Sequence, residues 1–207
     1  MPTIGTILNS LSKLAPIESK MDFDNVGLLA GAPEWNTSCV MLSLDITSAT
    51  IFEAEKYGAG LIVSHHPLFF DLKSATPDSE GGKHLLELLT RRIGAICMHT
   101  NLDAADGGVN DALAAALNIR DAHPFESEHI LRIGHLDMEM PLDVFLAGIK
   151  AALQCEGLRY TGSKPVNRVA VGGGSCGNML DEAVKAGCET FVSGEMQHDV
   201  FRWVLAL

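Results

Sequence analysis

"EAEKYGAGLIVS", residues 53–64, lies without a gap over "EAVKAGCETFVS", residues 182–193, when the chain is laid on itself at an offset of 129. Glu, Ala, Lys, Gly, Val and Ser are shared in place. Further back at the same offset, "VMLSLD" from residue 40 falls over "VAVGGG" from residue 169. Each copy reads as a strand, a helix ending near a glycine, and a second strand, so one β-α-β unit occurs twice and the domain is duplicated. The copies are expected to meet in the polar, proline-containing stretch "NIRDAHPFESEH", 118–129. That places a first repeat over 1–122 and a second over 123–207.

Elsewhere, apolar runs rich in β-branched residues alternate with amphipathic stretches, which predicts an α/β fold with helices packed on mixed, largely parallel sheets. Strands are expected at 39–44, 60–64, 93–98, 130–136, 157–161, 167–172 and 189–193, and helices at 4–14, 47–57, 83–92, 108–117, 141–153 and 178–187.

The 207 residues are 47% hydrophobic, enough for a sizeable core. A net charge of -11 argues against a general nucleic-acid or anionic-membrane surface, which would need clustered Lys and Arg. Small molecules or other proteins are the expected partners. The five cysteines are widely spaced with no Cys-x-x-Cys pair, and read as buried thiols in a reducing compartment. The N-terminal stretch lacks the features of a signal peptide and no apolar run approaches membrane-spanning length, so a cytoplasmic protein is expected.

In open α/β sheets ligands gather beyond the carboxyl ends of the strands, so polar residues that follow an apolar run carry the most interest. Four places qualify: "SLD" ending at Asp45, "SHHP" at 64–67, "CMHTNLDAADGG" at 97–108 and "VSGEMQHD" at 192–199. Consecutive side chains on a strand point to opposite faces, so His65 and His66 could not share one metal on a continuing strand. Pro67 removes a ladder donor and ends the strand, which places both imidazoles at its exit, where they could serve adjacent metals. A core histidine beside a solvated one is the other reading of the pair.

The third place adds His99, Thr100, Asn101 and Asp103 before two glycines. A carboxylate can bridge two cations while imidazoles complete their coordination and neighbouring amides orient the set. Helix capping is the other reading of Asp103 and Asp106. Gly172, Gly174 and Gly177 satisfy G-x-G-x-x-G, a weak dinucleotide signal that also reads as a phosphate-accepting helix start. His84, His123, His129 and His135 read as surface or packing groups. Glu195 and His198 follow the second copy's strand where the first copy has its histidine pair.

Taken together, "FDNVGLLAG" (23–31), "LIVSHHPLFF" (61–70), "HTNLDAADGGVNDALA" (99–114), "RIG" (132–134), "VGGGSCG" (171–177) and "VSGEMQH" (192–198) resemble, in order, the Nif-three-like dinuclear metal-centre family, whose members are often labelled GTP cyclohydrolase 1 type 2 homologues. Phe23 stands where that family usually has Trp, and Ser193 where Thr is more usual. The resemblance implies two intertwined α/β repeats and a homohexamer built as a trimer of dimers. It also implies two divalent metal ions, of zinc, iron, manganese or cobalt, held by His65, His66 and a bridging Asp103. Asp24, Asn25, His99, Asn101 and Glu195 are then candidates for supporting or substrate contacts.

The family's further His and Glu ligands belong to a Gly-His-x-x-Thr-Glu motif that these 207 residues do not contain. The expectation is therefore a longer natural chain, and weakened metal occupancy in this one. By resemblance the activity is metal-dependent hydrolysis of a nucleotide-like substrate. The alternative is a ring-forming metal-binding or regulatory protein without turnover.

Overall fold

The computed structural model describes residues 1–79, 81–125 and 128–204. The chain folds as two compact units, Met1–Leu102 and Asp103–Leu207. The first contains α1 (Ile4–Leu14), β1 (Gly27–Ala30), β2 (Val40–Ser43), α2 (Ser48–Lys56), β3 (Leu61–Ser64), α3 (Gly82–Thr90) and β4 (Gly94–Cys97). Its sheet has the order β1-β4-β3-β2, with β2, β3 and β4 parallel and β1 antiparallel to β4.

Threonines start two of these helices. Thr3 Oγ accepts from Thr6 N at 3.1 Å, and Thr47 Oγ accepts from Thr50 N at 3.1 Å, each satisfying a donor that the first turn leaves unpaired. Alternation along β3 then sorts the core. Ile62 packs with Ile51, Ala54 and Leu88, whereas the fully buried Leu61 faces the side on which Ile4 of α1 approaches Gly94.

A short helix, α4 (Thr100–Ala104), crosses the division between the units. The second unit continues with α5 (Val109–Ala116), β5 (Arg120–Phe125), β6 (Glu128–Met140), α6 (Leu142–Leu153), β7 (Val166–Gly172), α7 (Leu180–Lys185), β8 (Thr190–Ser193) and α8 (His198–Val204). Its sheet order is β5-β6-β7-β8, and only β7 and β8 run parallel. Val169 and Val171 pack with Phe145 and Ile149 on one face, and Ala170 with Ala183 on the other, again a period of two. Among the described residues no helix is long and apolar enough to cross a membrane.

The sequence repeat is realised residue by residue. β2 pairs with β3 from Val40↔Leu61 to Ser43↔Ser64, and β7 pairs with β8 from Val169↔Thr190 to Gly172↔Ser193, which are the same rows shifted by 129. The surroundings differ: β3 has β4 as its second parallel neighbour, whereas β7 has the long antiparallel β6.

Some expected elements are absent and others were not anticipated. The strand expected at 157–161 does not form; of that run Leu158 packs against the core, and Gly162 at φ +97° turns the chain. β1 is only four residues long, begins at Gly27 and is followed by Gly31, too short for a periodic signal. β5 occupies the stretch read as a polar linker, because it is an outer strand whose charged residues face water. Residues 126 and 127 of that stretch lie outside the described residues. Residues 205–207, which follow α8 (His198–Val204), also lie outside them.

Candidate metal centre

The last paired rows of the parallel strands join Ser43 to Ser64 and Ser64 to Cys97. Two residues further along each strand stand Asp45, His66 and His99, so the register alone brings these three side chains to one edge. The ladder continues past the formal end of β3, His65 N donating to Ser43 O at 3.2 Å and His66 N to Leu44 O at 2.9 Å. Pro67 has no donor to extend it further. Ser64 Oγ then donates to His66 O at 2.8 Å, folding the exit into a turn. That turn overrides strand alternation and places the His65 and His66 rings 5.1 Å apart, centroid to centroid.

His99 completes the group, 5.1 Å from His65 and 5.7 Å from His66 between ring centroids. One nitrogen from each of the three rings lies within 4.8 Å of the others, and the three could hold a metal ion. Ligands of a single tetrahedral zinc stand about 3.4 Å apart, so modest ring rotation would close the set.

Each Nδ1 has an acceptor. His65 Nδ1 lies 3.0 Å from Met98 O, His66 Nδ1 2.7 Å from Asp45 Oδ1, and His99 Nδ1 2.9 Å from Asp24 Oδ1. In the neutral ring the proton therefore sits on Nδ1 and the lone pair on Nε2, the arrangement that outer hydrogen bonds impose on metal-binding histidines.

Asp24 is the most constrained group of the site. Its side chain is fully buried; Oδ1 accepts from His99 and from Asn25 N at 2.8 Å, and Oδ2 accepts from Thr100 N at 3.0 Å and from Thr100 Oγ. Burial pushes the carboxyl up, but donation from the Thr100 hydroxyl, His99 and the Thr100 amide outweighs it and holds Asp24 below the usual carboxylate range. Asn101, also buried, accepts from His99 N through Oδ1 at 3.0 Å and donates to Ala15 O at 3.0 Å, which fixes the start of α4. Asn25 donates to Phe69 O at 2.9 Å.

Asp103 is buried on α4, just past the division between the units. Within the second unit, Arg132 holds the end of that helix by donating to Ala104 O at 2.9 Å and Ala105 O at 3.0 Å. Glu195 is exposed. Ser193 Oγ donates to Glu195 O at 2.8 Å, which repeats at offset 129 the Ser64 to His66 turn. The glycine run is explained by close packing. A Cβ on Gly177 would stand 2.8 Å from Met196 Cα, and one on Gly194 2.9 Å from Gly174 O. A 3-10 turn, Gly177–Met179, leads from the glycine run into the six-residue α7.

Two residues were missed by sequence reading. Asp45 was noted only as a strand end, and its link to His66 follows from the register. Arg132 was one letter of a motif, and its complete burial has no local signal.

All five cysteines are free thiols. Burial, with the Asp24 charge added, pushes the Cys97 thiol up to about 12, and burial with the Asp103 charge pushes Cys176 up to about 11. Iodoacetamide at about pH 8 is expected to leave both unmodified in the native protein and to label both after unfolding, because the thiolate is the nucleophile. Mass spectrometry of peptides checks this; native labelling of Cys97 as fast as of Cys155 would contradict it.

Fold and site together define an α/β protein with duplicated β-α-β units and a three-histidine group at the carboxyl edge of a parallel sheet. The chain belongs to the Duf34/NIF3 (NGG1p interacting factor 3) family, whose model matches residues 2–206. It is 35% identical over 201 residues to a Clostridium perfringens protein named GTP cyclohydrolase 1 type 2 homolog, covering 93% of this chain and 77% of that one. A Clostridium acetobutylicum protein of the same name is 31% identical over 205 residues, 94% of this chain and 76% of that one. The fold is similar to that of Staphylococcus aureus protein SA1388, at TM-score 0.86, 26% identity and coverage of 99% of this chain and 83% of that one. A Bacillus cereus protein related to NIF3 shares the fold at TM-score 0.88 and 22% identity, over 100% of this chain and 86% of that one.

Proposed function

We propose that the protein is a metal-dependent hydrolase acting on a nucleotide-like small molecule, with His65, His66 and His99 at its metal centre and Asp103 as a bridging carboxylate between two divalent ions. The observation that carries this reading is the Nδ1 acceptor on every ring of the histidine group. One nitrogen from each of these rings lies within 4.8 Å of the others, so the three can serve one ion at the carboxyl edge of the sheet.

A bound divalent ion supplies a water acidified to near neutral pH and polarises the group under attack. Asp24 and Asp45 hold the His99 and His66 rings in orientation, and Asn101 and Thr100 fix the backbone that carries His99. Histidine and carboxylate donors accept zinc, iron, manganese or cobalt. The relatives' printed name supports GTP as the first substrate to try. A cytoplasmic homohexamer belongs to the same reading, and the exposed Leu14, Leu42 and Leu44 offer apolar area for contacts between copies.

The test is metal analysis of the purified protein beside Asp103→Ala and His66→Ala, with GTP hydrolysis measured on the same samples. The expected result is bound divalent metal and GTP turnover in the wild type, with both lost in His66→Ala and reduced in Asp103→Ala. Unchanged metal in Asp103→Ala would sink the bridging role. Metal-replete wild type inert towards GTP would remove that substrate and favour metal binding without turnover.

A further inference from the structure

Beside the histidine group the first unit exposes two large aromatic side chains, Phe23 at 62% and Phe70 at 56%. Single exposed apolar residues are ordinary, but these two are paired and held in place. Their ring centroids are 6.2 Å apart at an interplanar angle of 48°, and the Phe70 centroid is 6.0 Å from that of His99 in an edge-on arrangement. Phe70 is thus in ring contact with both Phe23 and His99.

The backbone that carries the pair has little freedom. Asp24, next to Phe23, is tied to His99 and Thr100, and Asn25 donates to Phe69 O, next to Phe70. The two anchors join the segment of Phe23 to the segment of Phe70, and both to the carboxyl end of β4. The loop turns Phe69 inward against the core, whereas Phe23 and Phe70 are left in water.

We infer that Phe23 and Phe70 form a stacking surface for a planar aromatic or heteroaromatic ring of the substrate. A ring seated on Phe70 at the usual centroid spacing of roughly 4.5–7 Å would lie beside His99. The inference rests on the proposed reading of the histidine group as the reaction centre, and it narrows the substrate to a molecule whose ring is next to the bond that reacts. Stacking tolerates many ring types, so the surface selects aromatic character rather than one base.

The experiment measures equilibrium binding of guanosine, adenosine, nicotinamide and pterin, and of the ringless ribose 5-phosphate, to wild-type protein, Phe23→Ala and Phe70→Ala. Each is measured metal-free and zinc-loaded, with metal content and solution mass recorded. Phe23→Trp supplies a fluorescence reporter at the surface itself. The expected result is saturable binding of at least one ring compound, quenching of the Phe23→Trp emission, and binding at least about five-fold weaker in Phe70→Ala with ribose 5-phosphate unaffected. Metal content should match wild type in both alanine variants, since neither side chain can be a ligand. Absence of metal from the wild type would count against the proposed hydrolase, while ring binding in the metal-free protein would still be read. No saturation by any ring compound, or ring binding equal to wild type in both alanine variants, would overturn the stacking surface. So would a changed solution mass with unchanged ring binding, which would assign the pair to a contact between copies.

Discussion

Arg132→Met is expected to destabilise the protein by several kcal/mol, at about 1–3 kcal/mol for each buried acceptor left unpaired. Arg132 is 0% exposed, and its guanidinium serves five acceptors: Nε donates to Asp111 Oδ1, Nη1 to His129 O at 2.5 Å and to Leu131 O at 3.5 Å, and Nη2 to Ala104 O and Ala105 O. Methionine fills much of the same volume but leaves the acceptors unpaired, so the loss is chiefly one of polar satisfaction. Arg132→Lys should recover little, because a compact ammonium cannot reach acceptors spread around a planar fork. Urea unfolding followed by circular dichroism measures the change, and hydrogen exchange locates it, with amides of β6 and β7 losing protection before those of β2 and β3. A midpoint within experimental error of wild type would show that the acceptors find other donors.

Asp24→Asn is expected to weaken metal binding about 10- to 100-fold, the usual effect of removing a carboxylate that orients a histidine ligand. The amide is nearly the same shape, but it replaces one acceptor oxygen by a donor nitrogen in a pocket where four donors converge: His99 Nδ1, Asn25 N, Thr100 N and Thr100 Oγ. At least one of them is left facing another donor, at a cost of about 1–3 kcal/mol. Competition for zinc against a chromophoric chelator gives the affinity, and circular dichroism confirms that the variant is folded. Wild-type zinc affinity in folded Asp24→Asn would remove His99 from the metal centre and leave Asp24 a purely structural group.

Much of the fold was legible because its signals are local. A parallel β-α-β unit needs two apolar strands and one amphipathic helix, and each leaves a period in the residues that form it; the register at offset 129 follows from that. β5 and α4 lacked such a period: β5 is an outer strand with charged residues, and α4 has only five residues. His65 and His66 were legible as strand-exit residues because Pro67 ends the ladder. The role of Asp24 was not, because its partners His99 and Thr100 are more than seventy residues away in the chain.

Composition, periodicity and the internal repeat by themselves determined an α/β chain with two copies of one unit and histidines at the end of a strand, because these properties are carried by neighbouring residues. Only the tertiary structure decided which side chains meet. It set Asp45, His66 and His99 in one row through the pairing of three strands, reserved Asp24 for His99, and buried Arg132 against five acceptors. Those choices depend on strand register and on satisfying buried polar groups, and both are properties of segments far apart in sequence.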